Sequence, residues 1–184
     1  MLPRQVIKYI QLIKTGFKKE QIEKMFASLR LFPTPYKGIY YVPSTEEKNG
    51  WFIDNPLSIM FRASATFLKT NDIYYSCSTA EEFWGIKWQP TNIIHIVNTK
   101  KSGVVDLKKR IERSLNKQTF RAKKIAHLLS FYGNKIVFHK IKSIDDALIK
   151  TTPVAAFAAK SQIKKDRKRF HKIIRSQSSA PENR

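Results

Sequence analysis

The segment Ile73-Tyr-Tyr-Ser-Cys-Ser-Thr-Ala-Glu-Glu-Phe-Trp-Gly-Ile86 changes within a few residues from a pattern typical of a strand to one typical of a helix. Its first part, up to Cys77, is β-branched and aromatic, which is typical of a strand. Ser78 and Thr79 are each followed three residues later by a glutamate, which predicts overlapping capping boxes and a short helix that ends near Gly85. A strand that leads directly into a helix indicates a fold in which sheet and helix are mixed.

The sequence on both sides of this segment predicts further elements from apolar periodicity and from turn residues. Helices are predicted from Pro3 to Gly16, Lys18 to Leu29, Asn55 to Thr70, Leu107 to Leu115, Phe120 to Tyr132 and Thr152 to about Arg175, and strands from Ile39 to Val42, Ile93 to Val97 and Lys135 to Ile141. The polar residues 44–50 are interpreted as a linker.

The sequence therefore predicts an α+β fold. We expect an N-terminal winged-helix-like, DNA-binding module over residues 1–45, a mixed α/β domain over 51–150, a basic C-terminal helix over 151–175 and a disordered tail over 176–184. In the first module, two short helices meet at Gly16, and the turn-rich residues 33–38 precede the strand that would form the wing.

Charge is the strongest functional signal in the chain. Lys and Arg number 35 against 14 Asp and Glu, a formal net charge of +21, and residues 91–184 carry +17 of it. The stretch 100–124 holds ten basic and two acidic residues, and the stretch 160–175 holds eight basic residues and one acid, Asp166. Such an excess favours a polyanionic partner. DNA is the expected partner and RNA the alternative. No membrane partner is expected, since no window approaches the ~18 apolar residues of a bilayer span.

Catalytic and metal-binding patterns are not evident along the chain. The six glycines are widely spaced, so no glycine-rich phosphate loop is predicted, and the histidines at 95, 127, 139 and 171 lack the spacing of ligands on one helical face. We expect no enzyme activity, no catalytic residue, no cofactor and no metal. A metal-dependent nuclease is the less favoured alternative, with Asp106 near Lys108, or the Asp145-Asp146 pair near Lys142, as its candidate residues.

The expected compartment is the cytoplasm. Residues 1–14 lack the apolar run and cleavage site of a secretory signal. The single cysteine, Cys77, allows no internal disulfide, which fits a reducing compartment, and it is interpreted as a small buried side chain in a strand.

The candidate nucleic-acid-binding residues fall into three groups, chosen because their cations or hydrogen-bonding groups suit phosphate. They are Lys18, Lys19, Gln21, Lys24, Tyr36 and Lys37 in the N-terminal module, Lys108, Lys109, Arg113, Lys117, Arg121 and Lys124 in the first basic stretch, and Lys164, Lys165, Arg167, Lys168 and Arg169 in the second.

Three segments, in this order, resemble the AbiEi-type antitoxin family, the transcriptional-repressor partners of AbiEii nucleotidyltransferase toxins. The segment Lys37-Gly-Ile-Tyr-Tyr-Val-Pro43 is similar to the family's Gly-x-Tyr wing strand, and 73–86 is similar to its strand that leads into a helix ending in a hydrophobic-Gly-hydrophobic step. The third is Asn134-Lys-Ile-Val-Phe-His-Lys-Ile141. The resemblance spans roughly residues 1–148.

This resemblance implies a winged-helix domain that binds the protein's own promoter, and an α/β domain that antagonises a nucleotidyltransferase toxin without a stable toxin complex. The wing residues that match are Tyr36, Lys37, Gly38 and Tyr40. The family has three helices before the wing, whereas this sequence shows two, and the basic extension from Lys160 is outside the family pattern. We expect a homodimer, since repressors that read two half-sites commonly dimerise. The alternative function is a sequence-tolerant RNA-binding or ribosome-associated protein.

Overall fold

The structure is a computed structural model that describes residues 3–178, with the backbone alone from 175. Within this part the chain forms eight α-helices and two sheets. The strands are β1 (Gln5–Lys8), β2 (Phe32–Pro33), β3 (Ile39–Val42), β4 (Ile73–Tyr75), β5 (Ile93–Asn98), β6 (Gly103–Asp106), β7 (Lys135–Lys140), β8 (Ile149–Thr151) and β9 (Ala156–Ala158). The helices are α1 (Tyr9–Lys14), α2 (Lys19–Ala27), α3 (Thr45–Gly50), α4 (Pro56–Leu68), α5 (Cys77–Phe83), α6 (Lys108–Leu115), α7 (Phe120–Ser130) and α8 (Lys160–Ser178), and Asp146–Leu148 forms a single 3-10 turn.

The first sheet has the antiparallel order β1-β3-β2, and α1 and α2 connect β1 to β2. The predicted helix from Pro3 is wrong in its first half, because Val6 and Ile7 pair with β3 as strand residues. Gly16, at φ 92°, follows α1 and adopts the left-handed conformation that glycine tolerates. Leu12, Ile22, Leu31 and Val42 form a small core between the helices and this sheet.

Residues 44–50 do not form the predicted linker. Ser44 caps α3 by accepting a hydrogen bond from the backbone N–H of Glu47. The buried Glu47 carboxylate accepts hydrogen bonds from Tyr41 Oη (2.7 and 2.9 Å) and from the backbone N–H groups of Ser44 and Asp54. A glutamate with this many donors fixes the segment to the fold, although its composition alone is typical of a loop.

The second sheet has the order β6-β7-β5-β4-β9-β8, with parallel pairs β5-β7 and β4-β9. The predictions for β5, β7 and α4 are confirmed, and Asn55 caps α4 as expected. The edge strand β6 was not predicted. The alanine-rich helix predicted from Thr152 is wrong over its first part, because 156–158 form β9 and α8 begins at Lys160. Burial of Phe157 against β4 outweighs the helix propensity of the flanking alanines.

Consecutive residues of β7 show which elements cover each face of this sheet. The Phe138 ring lies 6.1 Å from Tyr36 and 6.0 Å from Phe67 of α4, whereas the next residue, His139, stacks on Phe170 of α8 at 4.1 Å. Because neighbouring strand residues point to opposite faces, the N-terminal segment and α4 cover one face and α8 covers the other.

The two sheets share one core. Leu29, Phe32, Tyr36 and Ile39 of the N-terminal part belong to the same apolar cluster as the strands of the second sheet. The predicted module boundaries at residues 45 and 51 therefore coincide with the change from one sheet to the other. The apolar packing is continuous across them. Of the predicted tail, residues 176–178 continue α8 and 179–184 lie outside the described residues. None of the described helices has the length and apolar character needed to cross a membrane.

Candidate nucleic-acid interface

A surface groove of about 700 Å³ lies where α2, β3, the β2–β3 turn and α7 meet. Four of the predicted binding residues line it: Lys19, Lys24, Lys37 and Arg121. Lys19, Lys24 and Lys37 come from the N-terminal module, whereas Arg121 lies more than eighty residues away along the chain. The groove thus brings three residues of the first predicted group together with one residue of the second.

The floor of the groove is apolar and aromatic. Ile22 is buried, and Phe26 and Tyr40, with ring centroids 5.5 Å apart, line the groove beside the cations. The Arg121 guanidinium lies 5.4 Å from the centre of the Phe26 ring. Lys37 is exposed in the β2–β3 turn.

Two carboxylates, Glu20 and Glu23, also line the groove. Glu23 Oε1 lies 3.9 Å from Lys19 Nζ, and both side chains are more than 60% exposed. An ion pair this open contributes little, and Lys19 remains available to an incoming phosphate. The groove keeps two more cations than carboxylates.

The β2–β3 turn is held from below. Arg110 of α6 donates hydrogen bonds to the carbonyl oxygens of Thr34 and Pro35, each at 3.1 Å. The Thr34 hydroxyl donates to the carbonyl oxygen of Ile39 at 2.8 Å. These contacts connect α6 to the turn that carries Lys37.

Tyr36 is not available as a binding residue. Its side chain is 3% exposed, its hydroxyl lies 2.6 Å from Ser64 Oγ, and its ring stacks on Phe67 at 4.4 Å. Burial raises its pKa well above the usual range. The resemblance implied an exposed wing residue at this position, but the ring belongs to the shared core.

Replacing Arg110 with alanine should destabilise the protein by about 1–3 kcal/mol, because two partly buried carbonyl oxygens lose a charged donor. Urea denaturation followed by circular dichroism measures this change. Arg113→Ala, at an exposed position of the same helix, is the control and should change the free energy of unfolding by less than about 0.5 kcal/mol. Equal effects of the two substitutions would contradict the role of Arg110.

Other predicted residues in and beside α2 have different surroundings. Lys18 is exposed just before the helix, and its backbone N–H donates to Gln21 Oε1 at 2.8 Å. Gln21 therefore serves as a helix cap and lies outside the groove, beside Met25 and Arg30. Tyr40, which the resemblance also indicated, lines the groove and is half-buried.

The remaining residues of the first basic stretch extend beyond the groove. Lys108, Lys109, Arg113 and Lys117 are exposed on α6 and the turn after it. Lys124 lies with its Nζ 3.0 Å from the centre of the Trp51 ring and 4.1 Å from that of Phe120, a cation–π arrangement. Of the predicted residues in this stretch, Arg121 is the one that reaches the groove.

The second basic stretch lies on the other face of the six-stranded sheet. Lys164, Lys165, Lys168 and Arg169 are exposed on α8, whereas Ile163 and Phe170 are buried beneath it. Arg167 donates to Glu81 Oε1 of α5 at 2.7 Å and so connects the two helices. The α8 cations therefore do not line the same groove as α2.

Two of the three carboxylates nominated for a nuclease, Asp106 and Asp145, act as local caps. Asp106 Oδ1 accepts a hydrogen bond from the backbone N–H of Lys109, and Asp145 Oδ1 accepts one from that of Ala147. Within the described residues, three other potential metal ligands converge: Cys77, His95 and His139.

These three residues lie beneath α5 and α8, and each is at most 3% exposed. Burial lowers the pKa of His95 to about 3 and that of His139 to about 4, so both imidazoles are neutral near pH 7. Burial, and then Asp166, raises the pKa of Cys77 to about 12, which makes the thiol a poor nucleophile. Cys77 is buried as expected, but it begins α5 instead of ending a strand.

Comparisons with protein-family models, with curated proteins and with solved structures found no match to this chain. The resemblance to AbiEi-type antitoxins rests on the three sequence segments alone.

Proposed function

We propose that the protein binds duplex DNA through the groove formed by α2, the β2–β3 turn and α7. The observation that carries this proposal is the convergence of Lys19, Lys24, Lys37 and Arg121 on one surface. Cations at such a surface neutralise phosphates and release condensed counterions.

The order of elements supports a winged-helix interpretation of residues 5–42. Two helices lie between β1 and a β2–β3 hairpin, and the sheet has the order β1-β3-β2. In this interpretation α2 is the recognition helix and Lys37 is at the tip of a short wing. The third helix expected before the wing is not found among the described residues, where the chain enters β1 at Gln5.

We further propose a cytoplasmic, non-enzymatic transcriptional regulator of the AbiEi-like antitoxin type. It would repress its own operon as a homodimer and antagonise a nucleotidyltransferase toxin. The motifs at 37–43, 73–86 and 134–141 support this proposal. A dimer would place two α2 helices on half-sites about 34–36 Å apart.

Binding should be measured over a salt series with three probes: duplex DNA from the protein's own upstream region, a scrambled duplex and a structured RNA. We expect the upstream duplex to bind at least about 100-fold more tightly than the scrambled one, since specific binding typically exceeds non-specific binding by about 10³ or more. Equal affinities that fall steeply with salt would mean that phosphate alone is recognised, and would remove promoter binding from the proposal.

RNA binding is the second candidate function, and the exposed cations of α8 favour it. Deleting 160–184 is a poor test, because Ile163 and Phe170 are part of the core. Changing Lys164, Lys165, Lys168 and Arg169 to alanine removes the charge and keeps the packing. Loss of RNA affinity in this variant with DNA affinity retained would support RNA binding.

A nuclease would instead nick a plasmid in the presence of Mg²⁺ or Mn²⁺, and intact plasmid would exclude that alternative.

A further inference from the structure

We propose that Cys77, His95 and His139 form a binding site for a divalent transition-metal ion of the zinc type. One ligand atom from each residue lies within 4.8 Å of the other two. This inference is independent of the DNA-binding groove, since the three residues lie on the α8 side of the sheet.

Strand register brings the two histidines together. His95 pairs with Val137 and His139 pairs with Val97 in the parallel β5-β7 ladder, so the two imidazoles lie diagonally on one face. His95 Nδ1 and His139 Nε2 are 2.9 Å apart. Two nitrogens bound to one tetrahedral zinc ion lie about 3.3 Å apart, given bonds of ~2.0–2.1 Å. A small separation of the rings would therefore admit the ion between them.

Cys77 is held beside the histidines by the junction of β4 and α5. The backbone N–H of Ser76 donates to the His95 carbonyl oxygen at 3.1 Å, and that of His95 donates to Thr79 Oγ1 at 2.8 Å. Cys77 has φ 52°, a left-handed conformation that is uncommon for a residue with a side chain. A thiolate and an imidazole nitrogen on one zinc ion lie about 3.6 Å apart. Since the three ligand atoms lie within 4.8 Å of one another, each sulfur–nitrogen distance needs to shorten by at most about 1.2 Å.

The ligand types indicate which ion the site would bind. A thiolate and two imidazoles suit zinc, cobalt or copper, and not the oxygen-binding ions magnesium and calcium. When the ion binds, a metal–sulfur bond forms and the thiol proton passes to solvent.

The surroundings give the ion a path from the surface. A cavity of about 330 Å³ reaches Cys77 and His95 from the surface, past Lys87 and Arg167. The nearby carboxylates are already bound, Glu81 to Arg167 and Asp166 to Ser76 and Tyr74, so the three proteinaceous ligands would leave one coordination position facing the cavity.

The test is titration of untagged, chelator-treated full-length protein with Co²⁺, followed by competition with Zn²⁺. We expect one equivalent of Co²⁺ to bind, with the thiolate-to-cobalt charge-transfer absorption in the near ultraviolet, and Zn²⁺ to displace it. Cys77→Ser should abolish that absorption. His139→Gln should weaken binding by about 100-fold or more, since even second-shell losses cost 10–100-fold.

His171→Gln is the matched control, because His171 is exposed on α8, and it should bind Co²⁺ like the wild type. Wild-type protein that binds no Co²⁺, or binds it without the thiolate absorption, would overturn the proposal. A loss of Co²⁺ affinity in His171→Gln as large as that in His139→Gln would also overturn it. The wild-type spectrum decides the matter even if a core variant fails to fold.

Discussion

Simultaneous replacement of Lys19, Lys24, Lys37 and Arg121 by alanine should lower the affinity for duplex DNA by about 10³-fold near 0.1 M salt. Each phosphate contact contributes about 0.9 to the slope of log K against log salt, so four lost contacts should reduce that slope by about 3.6. Fluorescence anisotropy over a salt series measures both quantities. The change should be large because these four cations share one groove.

A matched variant distinguishes this groove from general charge attraction. Lys164, Lys165, Lys168 and Arg169 are four exposed cations on α8, and changing them to alanine lowers the net charge by the same amount. We expect this control to lose less than about tenfold in duplex affinity, since long-range attraction is screened beyond ~10 Å at 0.1 M salt. If both variants lose affinity equally, the groove is not the DNA-binding site.

Asp166→Ala should lower the free energy of unfolding by about 3–5 kcal/mol. The buried carboxylate accepts hydrogen bonds from Ser76 Oγ (2.6 Å), Tyr74 Oη (3.1 Å) and Gln162 Nε2 (2.8 Å), and truncation leaves these donors without an acceptor. In a protein of this size the expected decrease in Tm is about 6–20 °C. Chemical and thermal denaturation of the variant check it.

Asp146→Ala is the control for Asp166→Ala, since Asp146 is exposed, and it should change stability by less than about 0.5 kcal/mol. Asp166→Asn should lie between the alanine variant and the wild type, because an amide oxygen retains part of the acceptor capacity. A stability of Asp166→Ala within 1 kcal/mol of the wild type would show that α8 is attached mainly by Ile163 and Phe170.

Several elements were predictable because their signals are local. Asn55 and Pro56 specify the start of α4 by a side-chain cap and a preset φ, and the β-branched residues of 39–42 specify β3 between a glycine and a proline. The candidate site was predictable in part. The charge pattern indicates Lys19, Lys24, Lys37 and Arg121. Tyr36 and Gln21 are indicated by residue type, but their side chains contact Ser64 and the Lys18 backbone instead.

Local patterns mislead where distant contacts override local preference. Val6 and Ile7 fit an amphipathic helix, but pairing with β3 makes them a strand. The composition of residues 44–50 is typical of a loop. They form a helix because Ser44 caps it and because the Glu47 carboxylate accepts hydrogen bonds from the Tyr41 hydroxyl and the Ser44 backbone N–H. Residues 156–158 become a strand because Phe157 fills space beside β4.

The sequence by itself determined the mixed α+β composition, the large positive charge and the position of the strongest helices and strands, because each depends on neighbouring residues alone. Only the tertiary structure decided which cations share a groove, that the α8 cations lie on the opposite face, and that Cys77, His95 and His139 meet. Those outcomes depend on strand order and register, which bring together residues 44 positions apart, such as His95 and His139. No local pattern encodes such a contact, because its energy arises only when both strands are already paired.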